Sequence, residues 1–116
     1  MNQDKDQQVY FEHILKEINY IYSFTKGLTK EEFLSLPEKQ HAVIRALEVI
    51  GEAANKIQKS LQEKHPQIPW KEIIGTRNKL IHDYIDVDLG RTWNTIANNI
   101  PTLEIQIIKI LRELKP

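Results

Sequence analysis

Apolar residues recur at intervals of three and four along nearly the whole chain, and nowhere do they alternate one by one. This period constrains the fold more than any other feature. A 3.6-residue repeat gathers side chains on one stripe of an α-helix, whereas a strand buries every second one. Phe11, Ile14, Leu15, Ile18, Ile21 and Tyr22 define a first helical face, and Gly27 offers its C-terminal stop. Thr29-Lys30-Glu31-Glu32 fits a capping box, with Thr29 as N-cap and Glu32 reaching back. Only a short helix can follow, because Pro37 ends it and can open the next. A second long helix is expected from about Glu38 to Lys64, with Val43, Ala46, Leu47, Ile50, Ala54, Ile57 and Leu61 as its core stripe. Gly51, Ala53 and Ala54 make one part of it slim. Gly51 costs about 1 kcal/mol of helix propensity relative to Ala. Close approach of a neighbouring helix would account for it, and so would simple tolerance.

His65-Pro66-Gln67-Ile68-Pro69 reads as a break, and Pro69 suits the first turn of a third long helix. That helix carries Trp70, Ile73, Ile74, Leu80 and Ile81, with Gly75 as a candidate point of distortion. Asp86 and Asp88 mark a turn, and Asp88 can cap a helix running through Trp93, Ile96 and Ala97. Pro101 either kinks that helix or starts another bearing Leu103, Ile107, Ile110, Leu111 and Leu114. The expectation is one all-α domain over residues 1–116, an up-and-down bundle of four to five helices, with residues 1–8 flexible. A length of 116 residues and an apolar share of 41% fit a single core.

Composition closes several routes. No cysteine is present, which removes disulfides, thiolate metal sites and cysteine nucleophiles. The polar start Met1-Asn2-Gln3-Asp4-Lys5-Asp6 lacks a signal-peptide core, and no apolar run approaches the roughly 20 residues needed to span a bilayer. A cytoplasmic protein with no membrane contact is the expectation. Sixteen basic residues balance sixteen acidic ones, so no broad basic field exists to hold nucleic acid. From Lys71 to Arg91 the charges also cancel: Lys71, Arg77, Lys79 and Arg91 face Glu72, Asp83, Asp86 and Asp88. RNA contact would rest on a few placed cations.

Chemistry concentrates in Arg77-Asn78-Lys79-Leu80-Ile81-His82-Asp83-Tyr84. A guanidinium can grip phosphate oxygens through a planar fork of donors, and an imidazole can move a proton near neutral pH. Together they suffice in principle to cleave RNA, which carries its own nucleophile in the 2′-hydroxyl. On a straight helix Arg77 and Tyr84 lie within about 20° of each other, whereas His82 is about 140° from Arg77. The two could line opposite lips of a cleft, the helix could unwind near His82, or a two-fold dimer could bring two copies together. The dimer is the favoured of these three.

Each residue has an ordinary alternative. Arg77 could be salt-bridged to an acid on another helix, His82 could answer a helix C-terminal dipole, and Tyr84 could edge the core. His13, His41 and His65 lack paired metal-ligand spacing. Glu48 and Glu52, four apart, could feed a metal or orient Arg77, but a solvated face suits them better. Trp70 and Trp93 could stack on bases, yet both sit at core spacing.

The arrangement Arg77-x4-His82-x-Tyr84, with Asn78 directly after the Arg, resembles the signature of the HEPN superfamily, and closely its HepT-like toxin branch. The run Ile44-Arg45-Ala46-Leu47-Glu48-Val49-Ile50-Gly51-Glu52-Ala53-Ala54 is similar to that branch's second long helix. Ile85-Asp86-Val87-Asp88 and the stretch from Trp93 to Pro101 fit as well. The likeness extends from about Phe11 to Leu111. It implies a HEPN-like dimeric bundle acting as the toxin of a bacterial or archaeal type II or type VII-like system. It also implies metal-independent endoribonuclease activity without a cofactor, with Arg77, Asn78, His82 and Tyr84 as the catalytic set in a dimer-interface cleft. The implied partners are RNA and an MntA-type minimal nucleotidyltransferase antitoxin that attaches AMP to Tyr84, in a homodimer or a higher hetero-oligomer. Two rivals stand beside this reading. One is a catalytically silent helical dimer that binds nucleotide or serves a nucleotidyltransferase as partner subunit; the other is a purely structural dimer.

Overall fold

The first apolar stripe builds α1, Gln8–Thr25, which buries Phe11, Ile14, Ile18 and Ile21. The computed structural model describes residues 6–82 and 86–114. After α1 the chain turns at Gly27, whose φ of 77° favours a residue with no Cβ. The capping box forms as its residues predict: Glu32 N donates to Thr29 Oγ1 at 3.2 Å and Thr29 N to Glu32 Oε1 at 2.9 Å. It starts α2, Lys30–Leu34, which buries Phe33 against the Trp93 ring at 5.3 Å.

Pro37 opens α3, Pro37–Lys56. Here the structure corrects the sequence reading, which ran this helix on to Lys64. Ile57 is extended, with ψ 132°, and α4, Lys59–Glu63, is a separate short helix. Side chains stabilise the break. Gln58 N donates to Gln7 Oε1 at 2.7 Å, and Gln62 Nε2 donates to Ala54 O and Ile57 O at 3.0 and 3.2 Å. These bonds satisfy groups that a continuing helix would have paired itself. Ile57 and Leu61 stay in the core across the break.

The break before Pro69 is held by Trp70, whose Nε1 donates to Gln62 O and His65 O at 3.0 and 3.1 Å while its ring packs on Phe11. From there α5, Trp70–His82, runs through Gly75 without interruption, so that candidate point of distortion leaves the helix intact. Asp88 caps α6, Leu89–Asn94, by accepting from Arg91 N at 3.0 Å. The next five residues, Thr95–Asn99, form a π-turn that leads directly into α7, Ile100–Leu114. Pro101 lies just inside α7. It has no N–H to give, and its ring crowds the carbonyl four residues back. A wider turn ahead of it, with Ile100 N bonded to Thr95 O, relieves that conflict.

The four long helices make the bundle. α1 packs on α3 and α7, and α3 packs on α5, which makes its main contact with α3. Their shared stripe is one apolar core. Tyr22 Oη ties α1 to α7 by donating to Glu104 Oε1 at 3.2 Å, and burial followed by that carboxylate raises its pKa. The architecture is all-α, with no strand among the described residues. No helix of the described residues is long and apolar enough to cross a membrane.

Candidate functional site

Helix α5 turns Trp70, Ile73 and Leu80 toward the core, and Arg77 belongs to the same stripe by its spacing. A guanidinium stem therefore stands where an aliphatic side chain would ordinarily pack. Gly51 on α3 makes room for it. A Cβ added at Gly51 would overlap the Arg77 Cβ, and would stand 2.9 Å from its Cγ and 3.1 Å from the Ile73 carbonyl oxygen. Close approach, one of the two sequence explanations of Gly51, is the correct one, and the group it admits is Arg77.

The far end of Arg77 is held on one side only. Its Nη1 donates to Asn78 Oδ1 at 2.8 Å, whereas Nε is shielded from solvent and has no hydrogen-bond partner among the described residues. A buried donor left unmet costs about 1–3 kcal/mol, and more when charged. A guanidinium's planar fork of donors suits an anion with two acceptor oxygens. The salt-bridge alternative for Arg77 is not met among the described residues. Glu48 and Glu52, the acids that could have oriented it, lie 3.2 and 3.9 Å from the Arg45 guanidinium instead. Burial raises the Glu17 pKa, against the opposing charges of Lys16 and then Arg45.

His82 is exposed at the end of the described part of α5, and the helix stays regular from Trp70 to His82. Within one chain, then, the imidazole and the guanidinium leave the helix on different faces. The unwinding route finds no support up to His82. Asn78 stands between the two, exposed. Tyr84 lies outside the described residues, as does Asp83. No group of three or more potential metal ligands occurs among the described residues.

Two cavities open on the other flank of α5. The larger, about 300 Å³, lies between α5, the π-turn and α7, with Leu47 and Ile50 of α3 on its floor. The smaller, about 140 Å³, shares Leu47, Thr76 and Thr95 with it and adds Lys79, Asp88 and Arg91. No motif in the sequence announces these residues, because they come from α3, α5, α6, the π-turn, α7 and the connections between them. The Asp88 carboxyl is held below its usual pKa, chiefly by the Arg91 backbone N–H and also by the charges of Arg91 and Lys79. Both tryptophans pack: Trp70 is 8% exposed and Trp93 lies on Phe33, as their core spacing predicted.

The family model described as ribonuclease HepT-like matches residues 14–110. A protein of Caldanaerobacter subterraneus subsp. tengcongensis, provisionally named RNase TTE0752, is 43% identical over 96% of this chain and 99% of its own length. A Thermococcus cleftensis protein named "Probable ribonuclease HepT" is 43% identical over 87% of this chain and 92% of its own. A Methanocaldococcus jannaschii protein, provisionally named RNase MJ0125, is 42% identical, with 96% of each chain covered. No solved structure gives a significant match.

Proposed function

The chain belongs to the HepT-like ribonuclease family, and from that premise we propose that it is an endoribonuclease toxin whose active cleft forms between two copies. The observation that carries this reading is the guanidinium of Arg77, seated on Gly51 and held through Nη1 by Asn78. A scissile phosphate would meet that guanidinium through its fork of donors. The regular course of α5 favours a two-fold pairing, because it keeps the Arg77 and His82 of one chain from converging.

In the proposed reaction the neutral His82 imidazole takes the proton of an RNA 2′-hydroxyl. The freed oxygen attacks the adjacent phosphorus, and the bond from phosphorus to the 5′-oxygen breaks. Arg77 stabilises the charge gathering on the phosphoryl oxygens, and Asn78 fixes the angle at which it does so. Tyr84 offers a hydroxyl proton to the leaving 5′-oxygen. The products are a 2′,3′-cyclic phosphate and a 5′-hydroxyl, and no metal or cofactor takes part. AMP placed on Tyr84 by an MntA-type nucleotidyltransferase would set a bulky anion in the cleft, blocking substrate by sterics and like charge.

The test is cleavage of total cellular RNA by purified protein in EDTA, beside His82→Ala. Cleavage that is lost in the variant, with cyclic-phosphate ends, supports the proposal. Cleavage that needs a divalent ion, or that survives the substitution, contradicts it. One observation favours a second reading, a silent nucleotide-binding partner subunit: the net charge is zero. Harmless overexpression of wild type with Tyr84 unmodified would decide for it.

A further inference from the structure

The two cavities beside α5 differ in chemistry in a way the cleavage reaction does not use. None of the residues lining the larger one carries a charge, although 28% of the chain does. Its floor is aliphatic, from Leu47, Ile50, Ile100 and Leu103. Its rim is amide and hydroxyl, with Asn99, Gln67, Thr76, Thr95 and Thr102 among the residues. The three hydroxyls each donate to the carbonyl four residues back: Thr76 Oγ1 to Glu72 O, Thr95 Oγ1 to Arg91 O, and Thr102 Oγ1 to Asn98 O. Their lone pairs are left to accept from a ligand. At about 300 Å³ the space stands at the lower end of small-molecule sites.

The adjoining cavity is different. Lys79 and Arg91 line it with Asp88, one positive charge in excess. Asp88 already serves as the α6 cap. A neutral recess with hydrogen-bonding edges, joined to a small basic one, matches a base joined to a phosphate.

We propose that the seam between α5 and the π-turn is a nucleotide-binding subsite, taking a base in the neutral cavity and its phosphate between Lys79 and Arg91. The proposal rests on the ribonuclease reading only for its place in the reaction, where it would select the nucleotide neighbouring the one that is cut. Thr76, Lys79 and His82 stand three residues apart on α5. Such neighbours form one row, each step about 60° round and about 5–6 Å between Cβ atoms. The row leads from the cavity rim through a cation to the imidazole. Gly75 beside it is bare, with nothing near the place of its absent Cβ. A strand can cross the outer face of α5 there. The π-turn, which widens the helix for Pro101, also supplies Thr95 and Asn99 to the cavity wall.

The test titrates wild-type protein with AMP, ribose 5-phosphate and an all-2′-deoxy trinucleotide that cannot be cleaved, following backbone amide shifts. AMP should move the amides of Thr76, Thr95 and Asn99, and ribose 5-phosphate should bind at least about tenfold more weakly. Asn99→Leu, or Gln67→Leu should the first fail to fold, should weaken AMP about fivefold and leave ribose 5-phosphate unchanged. Lys79→Gln combined with Arg91→Gln should weaken both. A trinucleotide that binds more tightly than AMP identifies a strand as the source, and the reverse order identifies a free nucleotide. Equal binding of AMP and ribose 5-phosphate overturns the proposal. So do shifts confined to Asn78 and His82, or cavity amides that respond only to protein concentration, which would assign the seam to contact between copies. Absence of RNA cleavage with base-dependent binding intact removes the ribonuclease reading and leaves the subsite. Cleavage without base-dependent binding does the opposite.

Discussion

Gly51 on α3 lies directly under Arg77 on α5, so close that an added methyl group would overlap the Arg77 Cβ. The two residues come from different sequence motifs, yet each explains the other. Two helices that approach this closely at the level of residue 77 leave no room for a side chain at position 51. Since the overlap involves Cβ, shortening Arg77 to Ala would not relieve it. Gly51 therefore sets the spacing of the two helices, not just the Arg77 rotamer.

Gly51→Ala should accordingly push α5 from α3. Overpacking of this kind costs about 1–3 kcal/mol, offset slightly by the better helix propensity of Ala. A displacement near 1 Å at reacting groups can cost about 100-fold in rate. Thermal denaturation should show a folded, less stable protein, and RNA cleavage measured well below its Tm should fall by about that factor. Ile107→Val, remote on α7 and fully buried, serves as a destabilised control that keeps its activity.

Asn78 acts on Arg77 through the 2.8 Å bond to Nη1. Asn78→Ala should leave Tm nearly unchanged, since the residue is exposed. Single-turnover cleavage should slow roughly tenfold as the guanidinium loses its restraint. Asn78→Asp should be slower still, because a carboxylate at that distance competes with the substrate phosphate. Equal rates for Asn78→Ala and wild type would remove Asn78 from the site.

Much of this was legible in the residues. The helix-period stripes, the Thr29–Glu32 box, the Gly27 stop and the Asp88 cap each depend on neighbours within four positions, and each forms as expected. The end of α3 was not legible. No Gly or Pro stands at 57 or 58; the break depends on Gln7, fifty-one positions from Gln58, and on Gln62. The partner of Gly51 was hidden for the same reason, since spacing marks a slim helix but not what lies against it. The cavities draw on residues from Leu47 to Gln106, with no local pattern to betray them.

Gln7→Ala tests the α3 break. It removes the acceptor of the 2.7 Å bond from Gln58 N, at a cost of about 1 kcal/mol. Urea denaturation should show that loss, hydrogen exchange should accelerate around Gln58–Leu61, and cleavage should be unaffected.

Asp88 gives a pH dependence with a definite sign. Its folded pKa lies below the ordinary carboxylate value, first through the Arg91 N–H. Its contribution to stability is therefore present above the unfolded pKa and is lost as pH falls through the folded one. Asp88→Asn keeps an N-cap acceptor but does not titrate in this range. Below the ordinary aspartate range, Tm should fall less in the variant than in wild type. Parallel acid limbs would contradict this assignment.

The measurement that bears most directly on the proposed shared cleft mixes two inactive variants. Arg77→Ala and His82→Ala are each to be purified, confirmed inactive on RNA in EDTA, then combined and allowed to exchange subunits. If Arg77 of one copy works with His82 of the other, a mixed dimer retains one intact pair, and cleavage returns to a fraction of the wild-type rate. If the mixture stays as inactive as its components after exchange is verified, the two residues do not meet across an interface.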